Sequence, residues 1–387
     1  MNPRETVHCK NLILGAGPAG LAIAGRLRNR GKEFTILERD QNIASMWRRH
    51  YDRLHLHTVK QLSHLPYLPF PPEYPLYVSR QQLVDYYDMY ARKFDIHPIF
   101  GVEAHNILRR GNLWHVVTNS NTYVADEVVF ATGSNRIPVS PTWPGQEDFS
   151  GEILHSRLYK NPKPFENKKV FVVGMGNTGA EIALDLAESQ IENYLSVRSP
   201  VNIVPRDVLG RPAQLTAKML DKLPFGLGKL ISKLSRRIII GDLSKYGIQQ
   251  PQIDPVDQLR QTGQTPVIDL GTVRKIKEGK IKIVPDLEQF TTNGVILKNG
   301  ELLEIDAIIL ATGYRSGIDH LIKNTGTLTD QYGLPKFCIG QDEFAGLYFL
   351  GFDNYKLGGI LGSIYEDSEK IAEAIGQRTK GQGVSSQ

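Results

Sequence analysis

A duplicated glycine fingerprint restricts this chain more than any other feature. "GAGPAG" (Gly15–Gly20) and "GMGNTG" (Gly174–Gly179) each follow a short apolar run and each precede a helical pattern. The first lies in "CKNLILGAGPAGLAIAGRLRNRGKEFTILERD", which predicts a strand over Asn11–Leu14, a glycine turn, a helix from near Pro18 and a second strand over Phe34–Leu37 closed by Glu38. Gly15 and Gly17 allow a sharp turn and close approach to a pyrophosphate, and Gly20 lets helix and strand pack closely. The helix N-terminus around Pro18 and Ala19 favours phosphate charge. Glu38 follows Gly17 by about 20 residues, the spacing at which a carboxylate accepts hydrogen bonds from ribose hydroxyls. A GxGPxG turn that opens a chain and is followed by that acid points to FAD rather than to a nicotinamide nucleotide.

The second fingerprint repeats the plan in "NKKVFVVGMGNTGAEIALDLAESQIENYLSVRSP". A strand over Val170–Val173 runs into Gly174, Gly176, Asn177, Thr178 and Gly179, a helix starts at about Thr178, and a strand over Asn193–Val197 ends at Arg198 and Ser199. Where the first site has an acid, this one has a cation. A guanidinium there forms a forked pair with a ribose 2′-phosphate that a carboxylate would repel. The expected second nucleotide is therefore NADP(H); the alternative is that Arg198 is a surface charge.

The repeat extends further. "VVFATG" closes the first copy with Ala131-Thr132-Gly133, and "AIILATGY" closes the second with Ala311-Thr312-Gly313 and Tyr314. Both are near-continuous apolar runs of the kind buried on both faces of a parallel sheet. The fold class expected is α/β, with two nested doubly wound dinucleotide-binding (Rossmann-type) domains. "LYFLGFDNYKLGGILGSIYEDSEKIAEAI" then adds a strand, a glycine loop through Leu357 and Gly358, and a helix that should return to complete the first domain. The expected boundaries are 1–160 with 317–387 for FAD, and an inserted 161–316 for NADP.

Composition excludes several other classes. The 387 residues carry only Cys9 and Cys338, so there is no CxxC pair, zinc knuckle or disulfide framework. A net charge of +5, spread along the chain, argues for anionic small ligands and against nucleic acid. No signal peptide or apolar run of roughly 20 residues is present, which leads to the expectation of a cytoplasmic protein without a transmembrane segment. The oligomeric state is left open.

Between the fingerprints, "FSGEILHSRLY" fits FxGxxxHxxxY through Phe149, Gly151, His155 and Tyr159. The order GAGPAG, FSGEILHSRLY, GMGNTG, ATGY resembles the class B flavin-dependent monooxygenases over essentially the whole chain. Tyr159 is followed by Lys160 rather than by Trp-Pro, so the match is to the flavin-containing monooxygenase branch. Within it, "YDRLHLHTVKQLSHLPYLPFPPEYPLYVSRQQLVDYYDMYARKFDI", "GDLSKYGI", "TGQTPVIDLGTVRKIKEGKIKI" and "LGGILGS" look like the YUCCA flavoproteins, the indole-3-pyruvate monooxygenases of auxin synthesis. That resemblance implies FAD reduction by NADPH, a C4a-(hydro)peroxyflavin formed with O2, and oxidative decarboxylation of a small-molecule 2-oxo acid. The rivals are N- or S-oxygenation, an NADPH oxidase or reductase, and a non-catalytic nucleotide sensor.

Arg39 and Trp47 join the expected FAD-binding positions. Mammalian-type relatives have a Thr-Asn pair near the flavin where this chain has Leu56 and His57. His57 thus either touches the flavin or its oxygen adduct as the catalytic residue, or is a satisfied structural histidine. His155 reads as a hydrogen-bonding strut. Tyr67, Phe70, Tyr74 and Tyr77 could form a substrate lid or pack the domain, and Lys60, Arg206 and Lys356 are candidates for holding a carboxylate. "LDKLPFGLGKLISKLSRRIIIGD", with Lys229, Lys233, Arg236 and Arg237, reads first as a buried helix with a basic rim that walls the NADP or substrate cleft, and second as a membrane-surface helix.

Overall fold

The computed structural model describes residues 5–208, 210–220, 227–323 and 326–384. The chain divides into two compact units, Met1–Arg48 with Thr58–Ile137 and Tyr314–Gln387, and Arg49–His57 with Pro138–Gly313.

The first unit opens with β1 (Thr6–Leu14), α1 (Pro18–Asn29), β2 (Thr35–Glu38), α2 (Arg80–Lys93) and β3 (Ile99–Phe100), followed by a meander of β4 (Ala104–Arg110), β5 (Leu113–Thr118) and β6 (Thr122–Phe130). The sheet order is β3-β2-β1-β6-β5-β4. β1 lies parallel to both β2 and β6, with Leu14 opposite Leu37 and Phe130. This central strand is buried from Asn11 to Leu14 and apolar from Leu12, where it runs into the turn. Pro18 occupies the first helical turn, where its missing N–H costs nothing, and Arg26 and Arg28 complement the dipole in the last.

The second unit contains β7 (Glu152–His155), β8 (Val170–Val173), α3 (Asn177–Glu188), β9 (Asn193–Ser196), β10 (Ile203–Pro205), α4 (Ala213–Leu220), α5 (Leu227–Ile239), β11 (Val267–Asp269) and β12 (Lys282–Val284). A second meander, β13 (Leu287–Thr291), β14 (Gly294–Leu297) and β15 (Leu302–Glu304), leads into β16 (Ala307–Leu310). The main sheet, β12-β9-β8-β16-β7, is parallel throughout. β8 and β16 are buried at every position, as strands covered on both faces must be. Phe171, Ile308 and Leu310 meet Phe290 and Val295 of the meander in one core.

The chain then returns to the first unit. β17 (Leu347–Phe349) runs parallel to the second half of β6, whose first half pairs with β5. α6 (Gly359–Val384) packs on α1, where Glu369 receives both Arg26 and Arg30. Both fingerprints thus follow parallel strands in units of the expected α/β, doubly wound class. The division at 137/138 falls earlier than the 160/161 boundary read from sequence, because the linking segment is itself strand β7, paired to β16 with His155 opposite Leu310. The later division, at 313/314 rather than 316/317, differs by only a few residues.

Candidate active site

The two glycine turns are near-copies. Gly15 has φ +104° and Gly174 φ +98°, a region closed to most side chains. A Cβ on Gly20 would lie 1.9 Å from the Gly15 carbonyl oxygen, and one on Gly179 would lie 1.9 Å from that of Gly174. Each ATG strand backs its own turn: the Ala131 N–H donates to Leu14 and the Ala311 N–H to Val173, both at 2.9 Å. By contrast, a Cβ on Gly17, Gly133, Gly176 or Gly313 would find nothing within 4 Å. Each turn is therefore tight behind and open in front, a cradle that fits a pyrophosphate.

In the first unit Glu38 is tied to its turn. Oε2 accepts from the Ala16 N–H at 2.8 Å and Oε1 from the Asp40 N–H at 3.0 Å, which leaves acceptor capacity for ribose hydroxyls. Arg39 lies 3.8 Å from both Asp40 and Glu103, and the Trp47 ring is 6.4 Å from that of Tyr87. Ala19 is buried, and a Cβ on Gly351 would lie 3.1 Å from its own Cβ, so the returning tail passes the start of α1. Leu357 and Gly358, the latter at φ +124°, lead directly into α6.

In the second unit Arg198 and Ser199 are exposed just beyond β9, and among the described residues nothing forms a hydrogen bond or ion pair with the Arg198 guanidinium. Asn177, at the start of α3, is braced by its side chain. It accepts from the Ile268 N–H at 2.7 Å and donates to the Pro266 carbonyl at 3.2 Å, which braces a loop. Thr178 is half-buried in the first turn of α3. Thr312 Oγ1 donates to the Val139 carbonyl, and Tyr314 begins the return to the first unit.

The linking motif gains a reason at each fixed position. The Phe149 ring meets Phe290 at 5.4 Å, and a Cβ on Gly151 would lie 2.4 Å from the Asp306 carbonyl oxygen. His155 Nε2 donates to the Gly313 carbonyl at 3.2 Å while Nδ1 accepts from the Arg157 N–H at 3.1 Å, a pattern that only the neutral ring satisfies. Burial accordingly pushes its pKa down. Tyr159 donates to Asp185 Oδ2 at 2.8 Å and stacks on Phe165. His155 is thus a strut between the linking strand and the second ATG turn.

The segment Arg49–His57 is also fastened to this unit. Glu181, Asp185 and Glu188 lie along one face of α3. Arg53 reaches Asp185 at 3.2 Å and Glu188 at 2.9 Å, and His57 Nε2 is paired with Oε1 of buried Glu181. Burial, then the charge of Glu181, raises the Tyr51 phenol pKa.

The model of the "Flavin-binding monooxygenase-like" family matches residues 9–327. The chain belongs to that family. A flavin is its cofactor and monooxygenation its class of reaction. The chain is 40% identical over 384 residues to the "Probable indole-3-pyruvate monooxygenase YUCCA3" of Arabidopsis thaliana, covering 95% of this chain and 87% of that one. A flavin-containing monooxygenase from Stenotrophomonas maltophilia shares the fold, with a TM-score of 0.73, 19% identity and coverage of 96% and 99%. So does OTEMO, solved in complex with FAD and NADP, with a TM-score of 0.72, 17% identity and coverage of 96% and 86%.

In this monooxygenase the expected carboxylate holders all carry protein partners. Lys60 donates to the Pro72 and Tyr74 carbonyls at 2.8 and 2.6 Å, Arg206 lies 3.1 Å from Asp207, and Lys356 lies 2.8 Å from Asp353 and 2.9 Å from buried Asp367. Of the proline-rich aromatics Phe70 packs the domain, buried 4.2 Å from Tyr86 and with its ring 6.2 Å from that of half-buried Tyr74, whereas Tyr67 is exposed with Arg26 over its ring at 4.9 Å. Tyr86 accepts from the Leu65 N–H and donates to the Leu68 carbonyl, lacing that loop to α2. Sequence reading missed Glu181, Asp185 and Arg53. The signal was acids spaced i, i+4, i+7 on a helix otherwise apolar.

Proposed function

We propose that the chain is an NADPH- and O2-dependent monooxygenase that oxidatively decarboxylates a 2-oxo acid such as indole-3-pyruvate to indole-3-acetate. The observation that carries this reading is the 40% identity, over 95% of the chain, to a probable indole-3-pyruvate monooxygenase. The balance closes: 2-oxo acid, O2, NADPH and a proton give the shortened acid, carbon dioxide, water and NADP⁺, with one oxygen atom entering the acid and the other leaving as water. FAD, when bound, supplies the passage of two electrons from NADPH to dioxygen, with a C4a-(hydro)peroxyflavin as the oxygen donor.

The residues of the chain hold and orient. Gly15, Gly17 and Gly20 with the N-terminus of α1 take the FAD pyrophosphate, and Glu38 takes its ribose. Gly174, Gly176 and Gly179 with the N-terminus of α3 take the NADP(H) pyrophosphate, and exposed Arg198 takes the 2′-phosphate. The first unit is thus the FAD domain and the second the NADP domain.

Product analysis of purified protein supplied with NADPH, oxygen and indole-3-pyruvate, beside a panel of amines and sulfides, tests the proposal. Indole-3-acetate formed in step with NADPH consumption supports it. Oxygenated amines or sulfides without indole-3-acetate assign N- or S-oxygenation instead, and hydrogen peroxide alone assigns an oxidase.

A further inference from the structure

Helices α4 and α5 of the second unit pack against each other and carry apolar side chains that face solvent. Leu215 and Met219, i and i+4 on α4, are 43% and 60% exposed, while Leu234 and Ile238, i and i+4 on α5, are 59% and 75% exposed. Ile239 is exposed as well. These five are among the thirteen large apolar side chains exposed among the described residues. The sequence expectation of a buried helix with a basic rim therefore fails at Leu234, Ile238 and Ile239. The side chain of Lys229 lies outside the described residues.

The charges choose the partner. Lys233 and Arg237, also i and i+4, run beside the Leu234–Ile238 row and are exposed, whereas Arg236 turns inward to donate to Asn202 Oδ1 at 3.3 Å. Neither helix contains an aspartate or glutamate. Among the described residues the acid next to the end of α5 is Asp242, whose carboxyl is held low first by the Ser244 backbone N–H; Asp221, which follows α4, lies outside the described residues. An apolar row flanked by a basic row, with no acid on the helix, complements a surface with an apolar interior and an anionic face. A second copy of this chain would instead bring basic rows together.

We propose that α4 and α5 form a peripheral docking face for anionic phospholipid bilayers. The apolar rows enter the boundary between headgroups and acyl chains, and Lys233 and Arg237 engage the headgroups. The association is peripheral, since no helix among the described residues is long and apolar enough to cross a membrane.

Co-sedimentation of the full-length holoprotein with vesicles tests this, comparing phosphatidylcholine alone with phosphatidylcholine–phosphatidylserine. Wild type should sediment with the anionic vesicles, and less so as salt rises. Lys233→Glu with Arg237→Glu should weaken binding by at least about tenfold, given roughly fivefold per basic residue at an anionic surface. Leu234→Asp with Ile238→Asp should abolish it while the flavin spectrum is unchanged. Failure of wild type to sediment at low ionic strength, or equal binding to neutral and anionic vesicles, overturns the proposal. So does a wild-type dimer in gel filtration that Leu234→Asp with Ile238→Asp converts to monomer, which would assign the face to a second copy.

Discussion

Nε2 of His57 meets Oε1 of Glu181, so the segment Arg49–His57 is pinned to the second fingerprint helix at a carboxylate only 3% exposed. Removing either partner strands the other in a poorly solvated place. His57→Ala and Glu181→Ala should each cost about 1–3 kcal/mol in urea unfolding. A double-mutant cycle should give a coupling of about 0.5–3 kcal/mol. Loss of turnover confined to His57→Ala, with unfolding unchanged, would instead place the imidazole at the reacting flavin.

Gly20→Ala and Gly179→Ala separate the two nucleotide sites. Each added Cβ would collide with a carbonyl oxygen at 1.9 Å, so the turn must shift at a cost of about 1–3 kcal/mol. Gly20→Ala should yield protein with little yellow flavin absorbance. Gly179→Ala should remain yellow yet be reduced far more slowly by NADPH.

Arg198→Ala tests the phosphate contact. A charged hydrogen bond of about 1.5–3 kcal/mol predicts roughly a ten- to hundredfold rise in the NADPH concentration needed for half-maximal anaerobic flavin reduction. The NADH requirement should barely change. Equal losses with both nucleotides would remove the assigned role.

His155 makes stability depend on pH with a definite sign. Burial lowers its folded-state pKa below the ordinary histidine value, so its contribution is present above the unfolded pKa of about 6.5 and is lost as pH falls through the folded value. Asp185 acts in the opposite sense, because burial raises its pKa. The readout is therefore the difference between wild type and His155→Gln. Wild type should lose stability relative to the variant on acidification below pH about 6.5, by no more than about 1.4 kcal/mol per pH unit for a single proton.

What the sequence made legible was what spacing encodes. Gly15, Gly20, Gly174 and Gly179 announce themselves because the turns they make are local, and the two ATG runs because buried parallel strands are uniformly apolar. Arg53 did not, nor did the partner of His57, since the carboxylates that both meet lie more than a hundred residues away and only the folded chain joins them. Asn177 read as a ligand contact because its position in the fingerprint is local information, while the carbonyl and amide that occupy its side chain come from Pro266 and Ile268. The exposure of Leu234 and Ile238 escaped for a related reason. An amphipathic pattern shows that a helix has two faces, and tertiary packing decides what covers each.

The placement of β17 and α6 has a consequence for synthesis on the ribosome. Every element of the second unit, from Arg49–His57 through β16, has been made before β17 supplies its pairing to β6 or α6 its cover for α1. The portion translated first is thus finished last, and its N-terminal strands and helix wait for the closing residues of the polypeptide. A premature stop codon before Leu347 would leave the inserted unit intact and deprive the older-made one of both a strand and a helix.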